Sequence, residues 1–523
     1  MVRAMTSPTA EMLLARLAEP FGSFSALLAD WALAQPAAPA LADESGTISW
    51  GEMAERVERI AAALQAGGLR RGQAVTILGT SGIGYALVYL AAIRAGGCAA
   101  PLTTSATPAQ LAAMLADSGA IHLFIDQAKQ AELDGAEDFA IPPGVTTVLL
   151  DELGGFMAAP GVRAAPFDPR DDDRFNIIYS SGTTGAPKGI VHSHGMRWRQ
   201  VSLRAATGYG PDARSLLSTP LYSNTTMVTF LPTLLAGGFA TIMGKFAAEA
   251  WLRLVEEQRI THAMLVPVQY QRLLADAAFG RFDLSSIKAK FCTSAPFSPD
   301  LKREVLARMP GGLIEYYGMT EGGLSCVLHA HEFPGKLHTV GSPAPGHELK
   351  VIDEAGNELP PDATGELVGR SPTMMLGYHN QPEKTREGYW IDGEGRTWQR
   401  MGDIGRVDPD GFVELVGRTK DVIISGGFNI YPVDLEAELL KDTRVVEAAV
   451  IGVPSEQWGE TPVGFVVLRG AEEDALEEIR TATNARLGKT QRLSALHAIA
   501  EMPRSHIGKL LKTELRDLAG ARP

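Results

Sequence analysis

Cysteine is scarce in this chain. Three residues (Cys98, Cys292 and Cys326) are scattered over 523 positions, and no two form a CxxC pair. This excludes a disulfide framework and a thiolate zinc site, and it points to a reducing cytoplasm. Positive charge is also short, with 48 Lys+Arg against 61 Asp+Glu and a net charge of -13. Bulk electrostatics then give no hold on nucleic acid or an anionic membrane. Any polyanion must be held locally, by a loop or a few placed cations. The first residues show no sustained apolar run after a basic start, so no secretory signal is expected. A clean membrane span is missing too. Residues 216–244 carry no charge, but Pro232 and Gly237-Gly238 interrupt them, and Ser218, Asn224, Thr225, Thr226 and Thr229 make them too polar. That stretch reads as buried interior of a soluble protein.

What is present is ordinary globular material. Apolar residues make up 45% and charged residues 21%, which rules out a disordered or fibrous chain. The length suggests about three or four domain-sized units. Glu52–Leu64 reads as an amphipathic helix, 74–79 as a strand, Tyr85–Arg94 as a second helix, and the loop-rich 141–173 follows. The alternation resumes with 260–268, helical Gln269–Ala275 and 287–296, which suggests an α/β layered fold with parallel strands. From about 340 to 417, short alternating strands with Gly, Pro and Asp turns read as a mainly antiparallel β unit. Helix and strand patterns return in the last hundred residues, with strands at 445–454 and 463–470.

The most unusual segment is IIYSSGTTGAPKGIVHSH at 177–194. An apolar strand runs into Ser180, Ser181, Gly182, Thr183, Thr184 and Gly185, and Lys188 follows. Glycines allow the backbone close to a ligand, hydroxyls and N–H groups make an anion nest, and lysine adds a point charge. The Walker A spacing is absent. The loop is therefore a candidate phosphate cradle of another kind.

This segment resembles the signature of the AMP-forming adenylate superfamily, which comprises acyl-CoA synthetases, adenylation domains and luciferases. Further motifs follow in the family's order. They are Tyr316-Tyr317-Gly318-Met319-Thr320-Glu321, Arg400-Met401-Gly402-Asp403, Gly417-Arg418-Thr419-Lys420-Asp421 with Ser425-Gly426-Gly427-Phe428-Asn429, and Gly508-Lys509. The resemblance covers essentially the whole chain and is strongest to acyl-CoA synthetases. It implies a large N-terminal adenylating region (1–417) of α/β subdomains plus a small β-barrel-like part at about 340–417. A hinge at 418–420 centred on Lys420 and a small mobile α+β domain at 421–523 complete the expected organisation.

By the same resemblance, ATP and Mg2+ are bound by named positions. The loop 180–188 takes the β- and γ-phosphates, Thr320 contacts the α-phosphate and Glu321 holds Mg2+. Tyr317 stacks on adenine beside Ser294, Ala295 and Pro296, with Gly318 next to it. Asp403 bonds the ribose hydroxyls and Arg418 reaches ribose or phosphate; the less favoured alternative is a structural ion pair. Lys509 bridges the substrate carboxylate and the α-phosphate, a role that suits its compact charge. Gly426, Gly427, Phe428 and Trp458 match the channel for an incoming thiol. Lys512 matches no catalytic position and reads as surface.

Where the family often has an aromatic-His pair, this chain has Tyr222-Ser223, so Ser223 stands in the histidine's place. The acyl pocket is expected among Tyr222, Asn224, Thr225, Met227, Cys292, Thr293, Met319 and Gly323, each of which would also serve as core. No Asp or Glu occurs in 216–244 to pair an α-ammonium group, which disfavours an amino-acid substrate and favours an apolar or lightly polar carboxylic acid. The pairs His192/His194 and the group His329, His331 and His338 lack the Cys or carboxylate pattern of a metal site. The expected activity is ATP-dependent acyl-adenylate formation followed by transfer to coenzyme A. A freestanding enzyme that loads a carrier protein's phosphopantetheine is the alternative, mildly disfavoured because little chain follows Lys509. A non-catalytic nucleotide- or acyl-binding protein is less consistent with Glu321, Asp403 and Lys509 occurring together.

Overall fold

A computed structural model describes residues 8–180, 187–205, 207–425, 428–470, 475–489, 491–505 and 508–520. The fold is mixed α/β, as the alternating sequence pattern implies. Its compact units are 1–337 with 344–347 and 370–399, and 338–343 with 348–369 and 400–523. The β-rich stretch after residue 340 divides between these units, with 340–343, 348–369 and 400–417 in the unit that holds the C-terminal residues.

The first unit contains two sheets. In one, Ala74–Leu78, Cys98–Pro101, His122–Ile125, Thr146–Leu149 and Arg174–Ser180 run parallel. Arg174–Ser180 then turns back as an antiparallel hairpin with Lys188–Ser193, and Gly377–Tyr378 adds to its far edge. In the other, Pro39–Asp43, Phe239–Ile242, Arg214–Leu217, His262–Leu265, Ala289–Cys292 and Gly312–Gly318 are parallel neighbours. Ser325–His329 closes that run antiparallel to Gly312–Gly318. Strands such as AVTIL, HLFI, FATI and HAML are buried at every residue, because helices cover both faces of a parallel sheet.

Local chemistry sets the helix starts. Ser49 and Glu52 form a reciprocal capping box for Trp50–Ala66, and Thr107 and Gln110 do the same for Pro108–Ser118. The uncharged stretch becomes the helix Asn224–Leu235, in which residues 225–235 are all buried. This is the interior role its composition suggests. Among the described residues, no helix is long and apolar enough to cross a membrane. The loop-rich segment 141–173 carries more structure than its composition suggests, with a strand at Thr146–Leu149 and a short helix at Leu153–Phe156.

In the second unit, Thr397–Val407 pairs antiparallel with Val413–Arg418, and Glu348–Ile352 with Glu358–Leu359. A further sheet has the order Phe428–Ile430, Ile423–Ser425, Gly459–Leu468, Val445–Ser455, with Ala495–Ala498 also on Gly459–Leu468. Alternation along Val445–Ser455 sends Ala449 and Ile451 into one core with Leu515, and Val450 into another with Leu435 and Ile479. Lys512 is not a surface residue. Its Nζ bonds Glu436 Oε1 at 3.0 Å and the Val450 carbonyl at 2.9 Å, which ties the last helix to the sheet.

Two buried histidines make stability pH-dependent. His194 lies among the rings of Phe24, Phe167 and Phe175, and burial pushes its pKa down to about 4. His262 is lowered to about 4 by the same cause. Both fall below the unfolded value near 6.5, so between pH 6.5 and about 4 the unfolded chain takes up protons that the folded chain refuses. Stability present above 6.5 should be lost in that window, by about 1.4 kcal/mol per pH unit for each histidine. Urea midpoints between pH 7 and 4.5 measure this slope. The variant His194→Phe should lose one proton's share of it, and an unchanged slope would refute the assignment.

Candidate active site

The phosphate-loop hairpin is the base of the site in the first unit. Its two strands place Ser180 opposite Lys188. The expected loop residues Ser181, Gly182, Thr183, Thr184 and Gly185 lie outside the described residues, as do Gly426 and Gly427. Lys188 Nζ sits 5.3 Å from the centroid of the Tyr378 ring, a cation–π distance. Tyr378 reaches that position because Gly377–Tyr378 pairs with Lys188–Ser193, which sets it opposite Ile190. Its hydroxyl donates to Glu321 Oε1 at 2.8 Å. Burial and the neighbouring Glu321 push the Tyr378 phenol well up, so it remains a donor at any working pH.

Close backbone packing holds Glu321 in place. Its carbonyl accepts the Met375 N–H at 2.9 Å. Gly322, at φ +80°, passes so near Thr373 that a Cβ would lie 1.9 Å from the Thr373 carbonyl oxygen. Only glycine fits this crossing. One residue earlier, the Thr320 carbonyl accepts His192 Nε2–H at 2.7 Å. The backbone around the Thr320-Glu321 pair is therefore held from both sides.

Thr225, expected on the acyl side, meets Ser294, expected beside adenine. Thr225 Oγ1 and Ser294 Oγ are 2.5 Å apart. Ser294 has φ +81°, a left-handed conformation that is strained for a residue other than glycine, at a cost of about 1–3 kcal/mol. Asn224 opens its helix, and its Oδ1 accepts a bond from Arg197. Ser223 caps that helix by accepting the Thr225 N–H at 3.2 Å, so the residue in the family histidine's place has a local structural use. Tyr222, Thr293, Met319 and Tyr317 are half-buried, Pro296 is exposed and Ala295 intermediate. Met227 and Cys292 sit fully in the packed interior, and Gly323 is buried.

In the second unit, Arg418 Nε contacts Asp403 Oδ1 at 2.8 Å, and the two residues are directly opposite in their strand pair. The alternative of an ion pair is thus realised in this structure, with Asp403 the buried partner. Lys420 is exposed in a one-turn helix at Thr419–Asp421. Phe428 and Trp458 are exposed large apolar residues. Lys509 is exposed in a tight turn in which its N–H donates to Ser505 Oγ and its carbonyl accepts the Ser505 N–H. Arg504 Nη1 closes the turn on the Gly508 carbonyl at 3.0 Å.

Tyr378, His192 and Arg197 are functional candidates that motif reading passed over. Tyr378 lies in no motif, and an edge strand brings it in. His192 attracted attention only as a metal pair with His194, yet the two rings face different surroundings, polar for His192 and aromatic for His194. His329, His331 and Glu332 do meet, with Glu332 Oε1 3.8 Å from His329 Nδ1 and 3.5 Å from His331 Nε2, at exposed or half-exposed positions.

Comparisons with known proteins identify the family. The model of the AMP-binding enzyme family matches residues 28–379, and that of the AMP-binding enzyme C-terminal domain matches 434–509. The chain is 33% identical over 494 residues to a feruloyl-CoA synthase of Amycolatopsis, covering 92% of this chain and 96% of that one. It is 31% identical over 493 residues to the fatty acid–[acyl-carrier-protein] ligase ScoC of Streptomyces coeruleorubidus, covering 92% and 94%. ATP-bound MatB from Rhodopseudomonas palustris superposes with a TM-score of 0.84 at 29% identity, covering 94% of this chain and 98% of that one. The fold and motif set define an adenylate-forming protein. This chain belongs to the AMP-binding enzyme family.

Tyr378→Phe should weaken ATP binding in the presence of Mg2+ by about tenfold, since a hydrogen bond to a carboxylate is worth about 1.5–3 kcal/mol. Calorimetry measures the affinity and thermal melting checks the fold. An unchanged affinity would remove Tyr378 from the site.

Proposed function

We propose that this protein is an AMP-forming acid–thiol ligase that converts a carboxylic acid to its acyl-adenylate and then to the acyl-CoA. The observation that carries the reading is the cluster of Lys188, Tyr378 and Glu321 at the phosphate-loop hairpin, with the Thr225–Ser294 pair in the same unit. In the first step a substrate carboxylate oxygen attacks the α-phosphorus of ATP, and the bond to the β-phosphate oxygen breaks to release pyrophosphate. Two anions must approach, so the barrier falls only where positive charge and donors meet the developing charge. Lys188 supplies a cation on the hairpin, and the loop before it supplies N–H groups and hydroxyls. Glu321 suits Mg2+, because it is an oxygen donor oriented through Oε1 by Tyr378. Bound there, Mg2+ would neutralise phosphate charge.

Lys509 is proposed to bridge the carboxylate and the α-phosphate, with Asp403 and Arg418 at the ribose and Tyr317 on adenine. In the second step a thiol sulfur attacks the acyl carbonyl, the mixed-anhydride bond breaks and AMP leaves. A hinge at Lys420, between 1–417 and 421–523, would present Phe428, Trp458 and the Gly426-Gly427 loop to that thiol. The uncharged helix Asn224–Leu235 supports an apolar or lightly polar acid, aromatic or aliphatic, and the feruloyl-CoA synthase relative favours the aromatic class. The ScoC relative supports a second reading, in which the thiol belongs to a carrier protein. All three cysteines are free and buried, which supports a cytoplasmic setting.

A panel of carboxylic acids tests the ligase reading. Pyrophosphate should appear only with ATP, Mg2+ and a suitable acid, and CoA should be consumed with that acid. Release of pyrophosphate without CoA consumption would favour the carrier-protein reading, and no release with any acid would sink both. Lys509→Ala should reduce adenylation by two or more orders of magnitude, as removal of a transition-state cation does. It should largely spare thioester formation from pre-made acyl-adenylate. Equal loss of both steps would contradict the proposed role of Lys509.

A further inference from the structure

Arg197 has 0% of its surface exposed, and among the described residues its hydrogen-bond partners are neutral. It lies on the helix His194–Ala205. Nε donates to Asn176 Oδ1 at 2.9 Å, and Nη1 donates to Gln200 Oε1 at 2.6 Å and Asn224 Oδ1 at 2.7 Å. Nη2 donates to His192 Nδ1 at 2.8 Å. Burial lowers its pKa only to about 10, so it stays a cation at neutral pH. The nearby Tyr89 phenol is pushed up by burial and supplies no anion.

Burying a guanidinium without a carboxylate is costly, and apolar residues of similar size pack such a position better. Stability alone therefore does not account for Arg197. Its partners do. Asn176 lies on the strand that enters the phosphate loop, His192 on the strand that leaves it, and Asn224 begins the helix on the acyl side. Arginine has donors only, so it fixes the acceptor end of each partner. His192 must present Nδ1 as a lone pair to Nη2, which leaves the proton on Nε2 to donate to the Thr320 carbonyl. Asn224 must turn Oδ1 toward Arg197, which turns its Nδ2 donor the other way.

We propose that Arg197 is a positioning residue that couples the acid side of the site, through Asn224, to the nucleotide motif, through His192 and the Thr320 backbone. The proposal deepens the ligase reading above and rests on it for the identity of the acid side. Because one guanidinium sets both the Asn224 amide and the Thr320-Glu321 backbone, the two substrates' sites are held in register by a single group. The Nδ2 donor of Asn224 then favours acids that carry a hydrogen-bond acceptor on the acyl portion over purely aliphatic ones.

A double-mutant cycle on pyrophosphate release, run with an acid the wild-type enzyme accepts, tests the coupling. Arg197→Met should raise the KM of the acid about tenfold and that of ATP about fivefold. Asn224→Ala should raise the acid KM alone. In the Arg197→Met background, adding Asn224→Ala should raise the acid KM no further. A full and independent Asn224→Ala effect in that background overturns the proposal, as do KM values within twofold of wild type in Arg197→Met. If Arg197→Met fails to fold by thermal melting, the same cycle is run on Arg197→Lys, which keeps the charge but cannot hold Asn176, His192 and Asn224 together. ATP affinity measured by calorimetry reads the nucleotide arm without turnover. It should weaken in the Arg197 variant even if no acid in the panel is activated, which separates failure of the ligase reading from failure of the coupling.

Discussion

An antiparallel hairpin sends successive side chains to opposite faces, and the pairing of Arg174–Ser180 with Lys188–Ser193 imposes that constraint on the first unit. One register places Lys188 at the loop mouth and Asn176 across from His192. It also leaves an edge on which Gly377–Tyr378 can pair. A one-residue slip would exchange the faces, so Asn176 and His192 would trade places with their apolar neighbours and His192 would lose Thr320. The polar geometry at Thr320, Glu321, Tyr378 and Arg197 therefore depends on the burial of the hairpin's apolar residues.

Within this frame two cations of the first unit are held by neutral groups, although others there, such as Arg94 with Glu58 and Lys302 with Glu315, pair with carboxylates. Lys188 rests on an aromatic ring, and Arg197 is held by three side-chain amides and an imidazole. Neither takes a carboxylate in these contacts, so neither charge is cancelled by an anion there. Local positive charge is thus retained although the net charge of the chain is -13. In the second unit several cations pair with carboxylates. Arg418 with Asp403, Arg504 with Glu447, Lys512 with Glu436 and Arg516 with Asp421 are all ion pairs. Such pairs tie strands and helices together, and exposed ones add little stability each.

Much of this was legible from local pattern. Strands at 74–79, 260–268 and 287–296 are apolar runs short enough to be buried strands, and they appear as such. The helix at 50–66 carries its capping box in the letters Ser49 and Glu52. The loop around Lys188 was readable from its glycines and hydroxyls, whereas Thr320-Glu321 and Asp403 stood out only by their resemblance to the family's motifs. Local pattern was less informative about Lys512, whose surface reading failed because Glu436 and the Val450 carbonyl are distant in sequence. Met227 and Cys292 likewise look like possible lining residues until packing encloses them.

The sequence by itself determined the chemistry available: a Gly- and hydroxyl-rich phosphate loop, a Thr-Glu pair, an uncharged buried helix and an acidic exterior. These are properties of residues near one another along the chain. Only the tertiary structure decided which of those groups act together. Tyr378 meets Glu321 across 57 positions, and Arg197 joins Asn176 to Asn224 through contacts that span 21 and 27. Such partners are brought together by strand register and helix packing, and those arise from burial of the whole core and leave no local mark in the sequence.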